Sequence, residues 1–232
     1  MKSAVRARTK TVAFCVMLLA VLCLVWYAGT LAPDNAVISG NYTAVGNSYA
    51  RFSSENAELL SGDGEVLSAV EFGYPERYLT SSGETAVAWE PGGNIAFLGA
   101  GGARLEKAEG QLLGVFGSDT GAVSALVEDG GEVKAEIFAT PGVKLELSPG
   151  NRPIAAVIGG RGTVLALLSP ERDGFYVSAY SLPDMSPAWR TPLDGPQYDL
   201  EWTDTAVLCA FGGDGEIYID GLTGEMLPRS PD

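Results

Sequence analysis

Histidine is absent from the 232-residue sequence, and cysteine is nearly so, with three residues. Without histidine, Ser-His-Asp and Cys-His catalytic pairs, histidine-ligated zinc sites and imidazole pH switches are excluded. Cys15 and Cys23 fall within one apolar run, which leaves Cys209 alone in the remainder of the chain. That remainder has no internal disulfide and must be stabilised by burial of an apolar core. We expect Cys209, inside an apolar stretch, to be buried and unreactive.

Basic residues are also scarce. Lys and Arg number 15 against 29 Asp and Glu, which gives a formal net charge of −14 and a pI near 4.4. The imbalance is concentrated after residue 32, where 11 basic residues face all 29 acidic ones. An acidic surface repels phosphate groups, so nucleic acid is not an expected partner.

The first 32 residues lack acidic side chains altogether. Residues 1–10 form a basic tail, and residues 11–32 carry no charge, a run longer than the roughly 20 residues that cross a bilayer as a helix. The basic flank predicts that the N-terminus stays in the cytoplasm. We therefore expect a single-pass signal anchor that contacts the lipid bilayer through residues 11–32, a linker over 33–41, and an extracellular C-terminal domain.

A cleaved signal peptide is the alternative interpretation of this segment. Cleavage needs small residues at the first and third positions before the cut. Ala32 and Thr30 meet that requirement, but Pro33 would follow the cut and hinder it. The sequence therefore favours the uncleaved anchor and leaves the alternative open.

No helical periodicity is evident after Ala36; short apolar segments alternate instead with turns rich in Gly, Asp, Asn and Pro. These segments group in fours, and the groups begin near residues 42, 77, 112, 153 and 198. A spacing of roughly 40 residues with four strands per unit is typical of propeller blades. The second segments, at 122–127, 163–168 and 205–211, are almost wholly apolar, as expected for strands buried on both faces. We predict an all-β, propeller-like domain of about five four-stranded sets over residues 42–228, followed by a tail at 229–232.

Two segments carry a family resemblance. Residues 215–227 place Tyr218 on a strand that leads to Asp220, a Thr-Gly turn and a short outer strand, and residues 176–190 end a similar pattern at Trp189. These segments resemble the closing half of pyrroloquinoline-quinone-type, WD40-like propeller repeats. The whole layout is similar to membrane-anchored propeller-like proteins of Gram-positive bacteria.

The resemblance implies a fold and no chemistry. Quinoprotein dehydrogenases hold a metal and a quinone in a closed ring of eight blades, and five sets do not make that ring. No residue here matches their catalytic positions, so we expect no catalytic, cofactor-binding or metal-binding residues. Five sets are few for a propeller, so we expect an incomplete ring, a ring of fewer blades or a ring completed by a partner. A β-sandwich or an irregular stacked sheet is the alternative fold.

Three similar motifs invite a calcium interpretation, because Asp and Glu supply the oxygen ligands that calcium prefers. They are centred on Asp63, Asp129 and Asp214. Each motif offers two carboxylates, fewer than the six to eight oxygens of a typical site. Asp-Gly is also a strong hairpin-turn signal, so turns are predicted at all three.

Three further sets of candidate functional residues are also explained by turns, strand connections or core packing. Glu171 and Asp173 are spaced for acid–base work but lie in a turn-like connection. The glycine clusters at 99–103 and 159–162 lack the Gly-Lys-Ser/Thr ending of a phosphate-binding loop and are predicted to be connections between strands. Trp89, Trp189 and Trp202 suit a glycan surface or a packed core, and the core is favoured.

The favoured function is a non-catalytic binding or assembly scaffold at the cell envelope, with an envelope protein or wall polymer as partner. The alternative is a hydrolase or lyase of wall polymers that uses Asp and Glu as acid and base. A sensor that passes a signal to a membrane partner is a weaker third hypothesis.

The anchor hypothesis predicts the mature N-terminus. The full-length protein should remain in the membrane fraction with its C-terminal domain outside, because no favourable cleavage site ends the apolar run. Protease accessibility of intact cells and N-terminal sequencing would check this. A mature protein that begins near Pro33 would contradict it.

Overall fold

The computed structural model describes residues 42–53, 56–71, 77–140, 143–182, 184–204, 206–213 and 215–228. The predicted basic tail, membrane helix and linker at 1–41 and the tail at 229–232 lie outside these residues. Among the described residues, no helix is long and apolar enough to cross a membrane.

The described residues form β-strands that run in sequence order through five antiparallel sheets. Sheet 1 comprises β1 (Tyr42–Val45), β2 (Ser48–Phe52), β3 (Asn56–Leu60) and β4 (Val66–Glu71); sheet 2 comprises β5 (Tyr78–Ser82), β6 (Thr85–Trp89), β7 (Asn94–Gly99) and β8 (Gly102–Lys107). Sheet 3 comprises β9 (Gln111–Gly117), β10 (Val123–Asp129), β11 (Glu132–Thr140) and β12 (Val143–Leu147); sheet 4 comprises β13 (Ala155–Gly159), β14 (Val164–Glu171), β15 (Gly174–Ser181) and β16 (Ser186–Leu193). Sheet 5 comprises β17 (Gln197–Asp204), β18 (Val207–Gly212) and β19 (Gly215–Asp220).

The predicted sets of strands are confirmed, with one correction. The segment at 224–227 was predicted as the fourth strand of the last set, but it forms a single bridge, between Ile219 and Met226. Gly224 remains in a turn with φ of +76°. Pro228 follows at once and has no N–H to extend the pairing. Sheet 5 therefore has three strands and a rudimentary fourth segment.

Successive sheets pack face to face through four apolar clusters, one at each boundary from sheet 1 to sheet 5. Val87 and Val123 belong to the cluster between sheets 2 and 3, whereas Leu126 and Leu165 belong to the next one. Alternate residues of β10 thus serve two different clusters, which explains why the second strands are apolar on both faces.

Buried hydroxyl groups add directional bonds across the same boundaries. Ser82 Oγ in sheet 2 donates to the Ala122 carbonyl oxygen, just before β10 of sheet 3, at 2.7 Å. Ser124 Oγ in sheet 3 donates to the Ala156 carbonyl oxygen in sheet 4 at 2.7 Å. Each serine is fully or almost fully buried. These bonds satisfy polar groups that would otherwise be costly inside the core.

The first strand of each sheet contacts the first strand of the next, in the series β1, β5, β9, β13 and β17. Within the described residues, no contact of comparable extent links sheet 5 back to sheet 1. The turns that follow β5 and β9 lie together, because a Cβ on Gly83 would stand 3.2 Å from the Asp119 carbonyl oxygen. The first strands therefore end at one end of the structure, which we name the lower end. They begin at the opposite, upper end.

Glycines admit an indole ring between sheets 4 and 5. A Cβ on Gly159 would lie 2.0 Å from two atoms of the Trp202 ring, and one on Gly221 would lie 2.2 Å from its Cζ3. Real Cβ atoms do not approach so closely. These positions are therefore glycine because the ring of Trp202 occupies the space.

A side chain at Gly159 should lower the stability of the domain. Gly159→Ala should destabilise the domain by about 1–3 kcal/mol, since the added methyl overpacks the Trp202 ring. Thermal or denaturant unfolding of the purified protein would measure it. Gly101→Ala is the matched control, because a Cβ there meets nothing within 4 Å. The cost should shrink in a Trp202→Ala background; an equal cost in both backgrounds would refute the assignment.

Cys209 is wholly buried in β18, as predicted. Burial, reinforced by the charge of Glu216, raises the pKa of its thiol from 9.0 to about 11. Little thiolate therefore forms near neutral pH.

We expect Cys209 to resist a thiol reagent at pH 8 while the protein is folded and to react rapidly after denaturation. A Cys15→Ser, Cys23→Ser background leaves Cys209 as the only thiol. The absorbance of the leaving group released by the reagent would measure its reaction. The stability contributed by the neutral thiol should be present below pH 9 and lost as the pH rises through about 11. Rapid modification of the native protein at pH 8 would contradict the buried assignment.

Candidate functional site

The upper end carries large apolar side chains that are exposed to solvent. Four of the large exposed hydrophobic residues lie at or near the starts of consecutive first strands, and we name this set the upper surface: Tyr78 (46% exposed), Leu113 (42%), Ile154 (41%) and Tyr198 (64%). Scattered exposed apolar residues are ordinary, but a set at one end of a fold indicates a contact surface.

Two members of the upper surface are turned outward by β-bulges. In β9, Leu112 pairs with Val127 and Gly114 pairs with Leu126, so Leu113 is the extra residue. Leu112 beside it is buried. A bulge of this kind re-aims a side chain, and the pairing with β10 continues on both sides of it.

The second bulge repeats the arrangement in sheet 5. Gln197 pairs with Gly212 and Asp199 pairs with Phe211, which leaves Tyr198 unpaired in β17. Its hydroxyl lies over the β18–β19 turn, 3.3 Å from where a Cβ on Gly213 would stand. The phenol ring is therefore displayed at the upper end, while Gln197 is buried.

The other two members are held by regular structure. The Tyr78 ring stacks on Trp89 of the neighbouring strand, with ring centroids 4.4 Å apart and planes inclined at 22°. Ile154 directly precedes β13. Its backbone N–H donates to the Leu168 carbonyl oxygen at 2.8 Å and so extends the pairing with β14 by one residue. Both side chains are thus presented by a fixed backbone, which lowers the entropy lost when a partner binds.

Exposed acidic side chains accompany the upper surface. Glu109 lies in the connection before β9 and Asp194 in the connection before β17, four residues ahead of Leu113 and Tyr198 respectively. Glu132 begins β11 at the same end. None of these three acids is in an ion pair among the described residues, whereas Arg152 is neutralised by Glu128 at 3.0 Å.

The predicted acidic turns are turns where they are described. Asp63 lies in the β3–β4 turn, where Gly64 N donates to Ser61 O at 2.9 Å, and Asp129 ends β10 before Gly130 and Gly131. Asp214 lies outside the described residues. Asp63 is at the lower end and Asp129 at the upper, so the structure does not bring them together. In the described part of the chain, no group of three or more Cys, Asp or Glu side chains is arranged to hold a metal ion.

Glu171 and Asp173 line a groove of about 690 Å³ beside sheet 4, together with Tyr180 and Arg190. Glu171 Oε2 accepts from Arg190 Nη2 at 2.6 Å, and its Oε1 accepts from Asn151 Nδ2 at 3.2 Å. Asp173 Oδ2 accepts from the Tyr176 hydroxyl at 2.8 Å, a bond that raises the pKa of Tyr176. Both carboxylates therefore accept hydrogen bonds from neighbouring side chains.

A second cavity, of about 730 Å³, opens toward the lower end among the first strands. Its walls include Phe116, Asp119, Glu201 and Trp202. The Trp202 Nε1 atom is buried and has no hydrogen-bond partner among the described residues. The two predicted glycine-rich connections, after β7 and after β13, also lie at the lower end and join adjacent strands as expected.

The three tryptophans that suited a glycan surface or a packed core lie on different sheets. Trp89 and Trp202 pack against apolar clusters, and Trp189 Nε1 donates to the Gly221 carbonyl oxygen at 3.0 Å. Each is half-buried. The favoured prediction of a packing role is consistent with these contacts.

The upper surface was not found from the sequence. For Leu113 a signal exists, because an isolated glycine within a strand pattern, here Gly114 after the pair Leu112-Leu113, indicates a bulge. For Tyr198 no comparable signal is present. The surface depends on which ends of the first strands meet, and that is a property of the assembled sheets.

No protein-family model matches the chain, and no curated protein matches it significantly. Solved structures do. The β-propeller domain of Myceliophteria thermophila Cps50 (Swd1) matches with a TM-score of 0.60 and 11% identity, over 81% of this chain and 69% of that chain. Kluyveromyces lactis Hsv2 matches with a TM-score of 0.58 and 13% identity, over 78% of this chain and 61% of that chain.

BBS1N, solved in complex with ARL6DN, matches with a TM-score of 0.53 and 16% identity, over 82% of this chain and 65% of that chain. The chain thus spans less than two thirds of the BBS1N and Hsv2 chains. At these identities the similarity shows the fold alone. The described part of the chain has a β-propeller fold, built from about five antiparallel sheets and similar to WD40-type propellers.

Proposed function

We propose that the chain is a membrane-anchored, extracytoplasmic propeller domain that binds a protein partner at the cell envelope and is not itself a catalyst. The observation that carries the proposal is the exposure of the four apolar side chains of the upper surface at one end of the fold. Large aromatic and aliphatic side chains on a fixed backbone are the usual anchors of protein interfaces. Propeller folds commonly serve as such scaffolds.

The anchor in this proposal is the uncharged segment at 11–32, with the basic tail in the cytoplasm. Its support is the charge pattern of the sequence: a basic start, an uncharged run and a strongly acidic remainder. The protein then has a single span and an extracellular domain that begins at residue 42.

Within the propeller class, we assign the last repeats to the pyrroloquinoline-quinone type. The Trp189 ring lies against Gly224, where an added Cβ would stand 2.7 Å from Cδ2, and Thr191 Oγ1 donates to the Gly224 carbonyl oxygen at 2.5 Å. The closing turn of sheet 5 thus docks on the outer strand of sheet 4. In this role the repeat pattern holds two sheets together and needs no cofactor.

A wall-polymer hydrolase or lyase has less support. Its acid–base pair would be Glu171 and Asp173, which share a groove, but Glu171 is paired with Arg190 and hydrogen-bonded to Asn151. Both Glu171 oxygens and one Asp173 oxygen are engaged by neighbouring side chains, whereas an acid–base residue must reach a proton of the substrate. The scaffold role is therefore the better-supported function.

Affinity capture from native membranes tests the binding role. Leu113→Ser combined with Tyr198→Ser in the full-length protein should reduce recovery of its partner by about tenfold or more, because two apolar anchors are removed from the interface. Quantitative mass spectrometry of the captured proteins would measure the change.

Val66→Ser combined with Leu105→Ser is the matched control. Both residues are 55% exposed and lie on the outer strands β4 and β8, away from the upper surface. This variant should recover the partner as the wild type does, and thermal unfolding should show both variants folded. Equal losses for the two variants, or no loss for either, would refute the upper surface as the binding site.

A further inference from the structure

The chemistry of the partner follows from the charges around the upper surface. The acids Glu109 and Asp194 lie in the two connections that lead into the bulged strands β9 and β17, and Glu132 begins β11 at the same end. All three are exposed and outside any ion pair among the described residues. A partner that covers Leu113 and Tyr198 would come close to these carboxylates.

Several basic side chains at this end are already neutralised. Arg152 pairs with Glu128 at 3.0 Å, Lys134 with Glu146 at 3.1 Å, and Arg190 with Glu171 at 2.6 Å. Lys107 and Arg172 have no ion-pair partner among the described residues. They lie at the upper end of the outer strand β8 and in the β14–β15 turn, and the three acids outnumber them.

We propose that the upper surface binds a cationic protein segment in which Lys or Arg residues flank apolar side chains. The proposal rests on the proposed function and specifies its partner. Apolar side chains of the segment would cover Leu113 and Tyr198, while its flanking cations would meet Glu109, Glu132 and Asp194. Charge complementarity of this kind selects partners and speeds their encounter.

The same charges disfavour other occupants. Anionic lipid head groups and acidic peptides would be repelled by the three carboxylates, in a domain whose residues from 33 onward hold 29 acids against 11 bases. A purely apolar segment would leave these carboxylates without partners. A basic segment with apolar side chains satisfies both features of the surface.

Peptide selection tests whether the upper surface prefers cationic segments, with random peptides in place of the native partner. A phage-displayed library of random twelve-residue peptides would be selected on the full-length protein in zwitterionic nanodiscs. Empty discs and the Leu113→Ser, Tyr198→Ser variant would serve for counter-selection. We expect the surviving peptides to be enriched in Lys and Arg together with large apolar residues. Survivors that are neutral or acidic, or no survivors at all, would overturn the proposal.

Charge reversal tests the same point with the native partner. Combining Glu109→Lys, Glu132→Lys and Asp194→Lys should weaken capture of the partner by about tenfold or more, and the wild-type interaction should weaken as salt is raised. The matched control combines Asp63→Lys, Glu84→Lys and Asp119→Lys. It makes the same change in net charge at exposed turns of the lower end.

The outcomes separate this inference from the proposed function. If the Leu113→Ser, Tyr198→Ser variant loses the partner but the upper charge reversal does not, the scaffold role stands and the cationic partner is refuted. If both triple reversals weaken capture equally, net charge alone is responsible and the local inference fails. If neither the apolar nor the charge variant has an effect, both proposals fail together.

Discussion

Packing of each inner sheet on both of its faces is the constraint on which this fold depends. Alternate residues of one strand must fill two separate clusters, as Val127 does toward sheet 2 and Leu126 toward sheet 4. A strand in this position has no solvent face, so its sequence becomes almost continuously apolar. With one thiol in the domain and no disulfide, the boundary clusters and the serine bonds across them supply the cohesion that a small secreted domain would obtain from cross-links.

Sheets 1 and 5 meet a different requirement, since among the described residues each packs against one other sheet through a single apolar cluster. In β17, Leu200 is buried against sheet 4 while Asp199, Glu201 and Thr203 are exposed. Sheet 1 places the Arg51–Glu58 ion pair opposite its apolar face, with Nε and Oε2 3.0 Å apart. Polar outer faces of this kind keep terminal repeats soluble. The polarity of sheets 1 and 5 is thus consistent with the absence, among described residues, of broad contact between them.

The features that the sequence predicted correctly are those that depend on residues close together in the chain. Periodicity placed the strands and the second-strand burial, and glycine and aspartate placed turns such as Asp129-Gly130-Gly131, because both effects act within a few residues. The segment at 224–227 was predicted to be a fourth strand, but it forms a single bridge and Pro228 ends the pairing. The sequence missed the upper surface, because Leu113 and Tyr198 are exposed by a shift in pairing register, and register depends on the neighbouring strand. It grouped Asp63 and Asp129 by motif although they lie at opposite ends of the fold.

The bulges also explain how binding and stability can be carried by the same strands without conflict. Leu112 and Val115 are buried in the same cluster, although residues three apart in a regular strand point to opposite faces. The extra residue removes that conflict, since Leu113 is added to the strand and not exchanged for a core residue. Tyr198 stands in the same relation to Gln197 and Leu200. The buried residues of the first strands can therefore be retained while the residues at the bulges change, which allows one scaffold to acquire a particular partner through few positions.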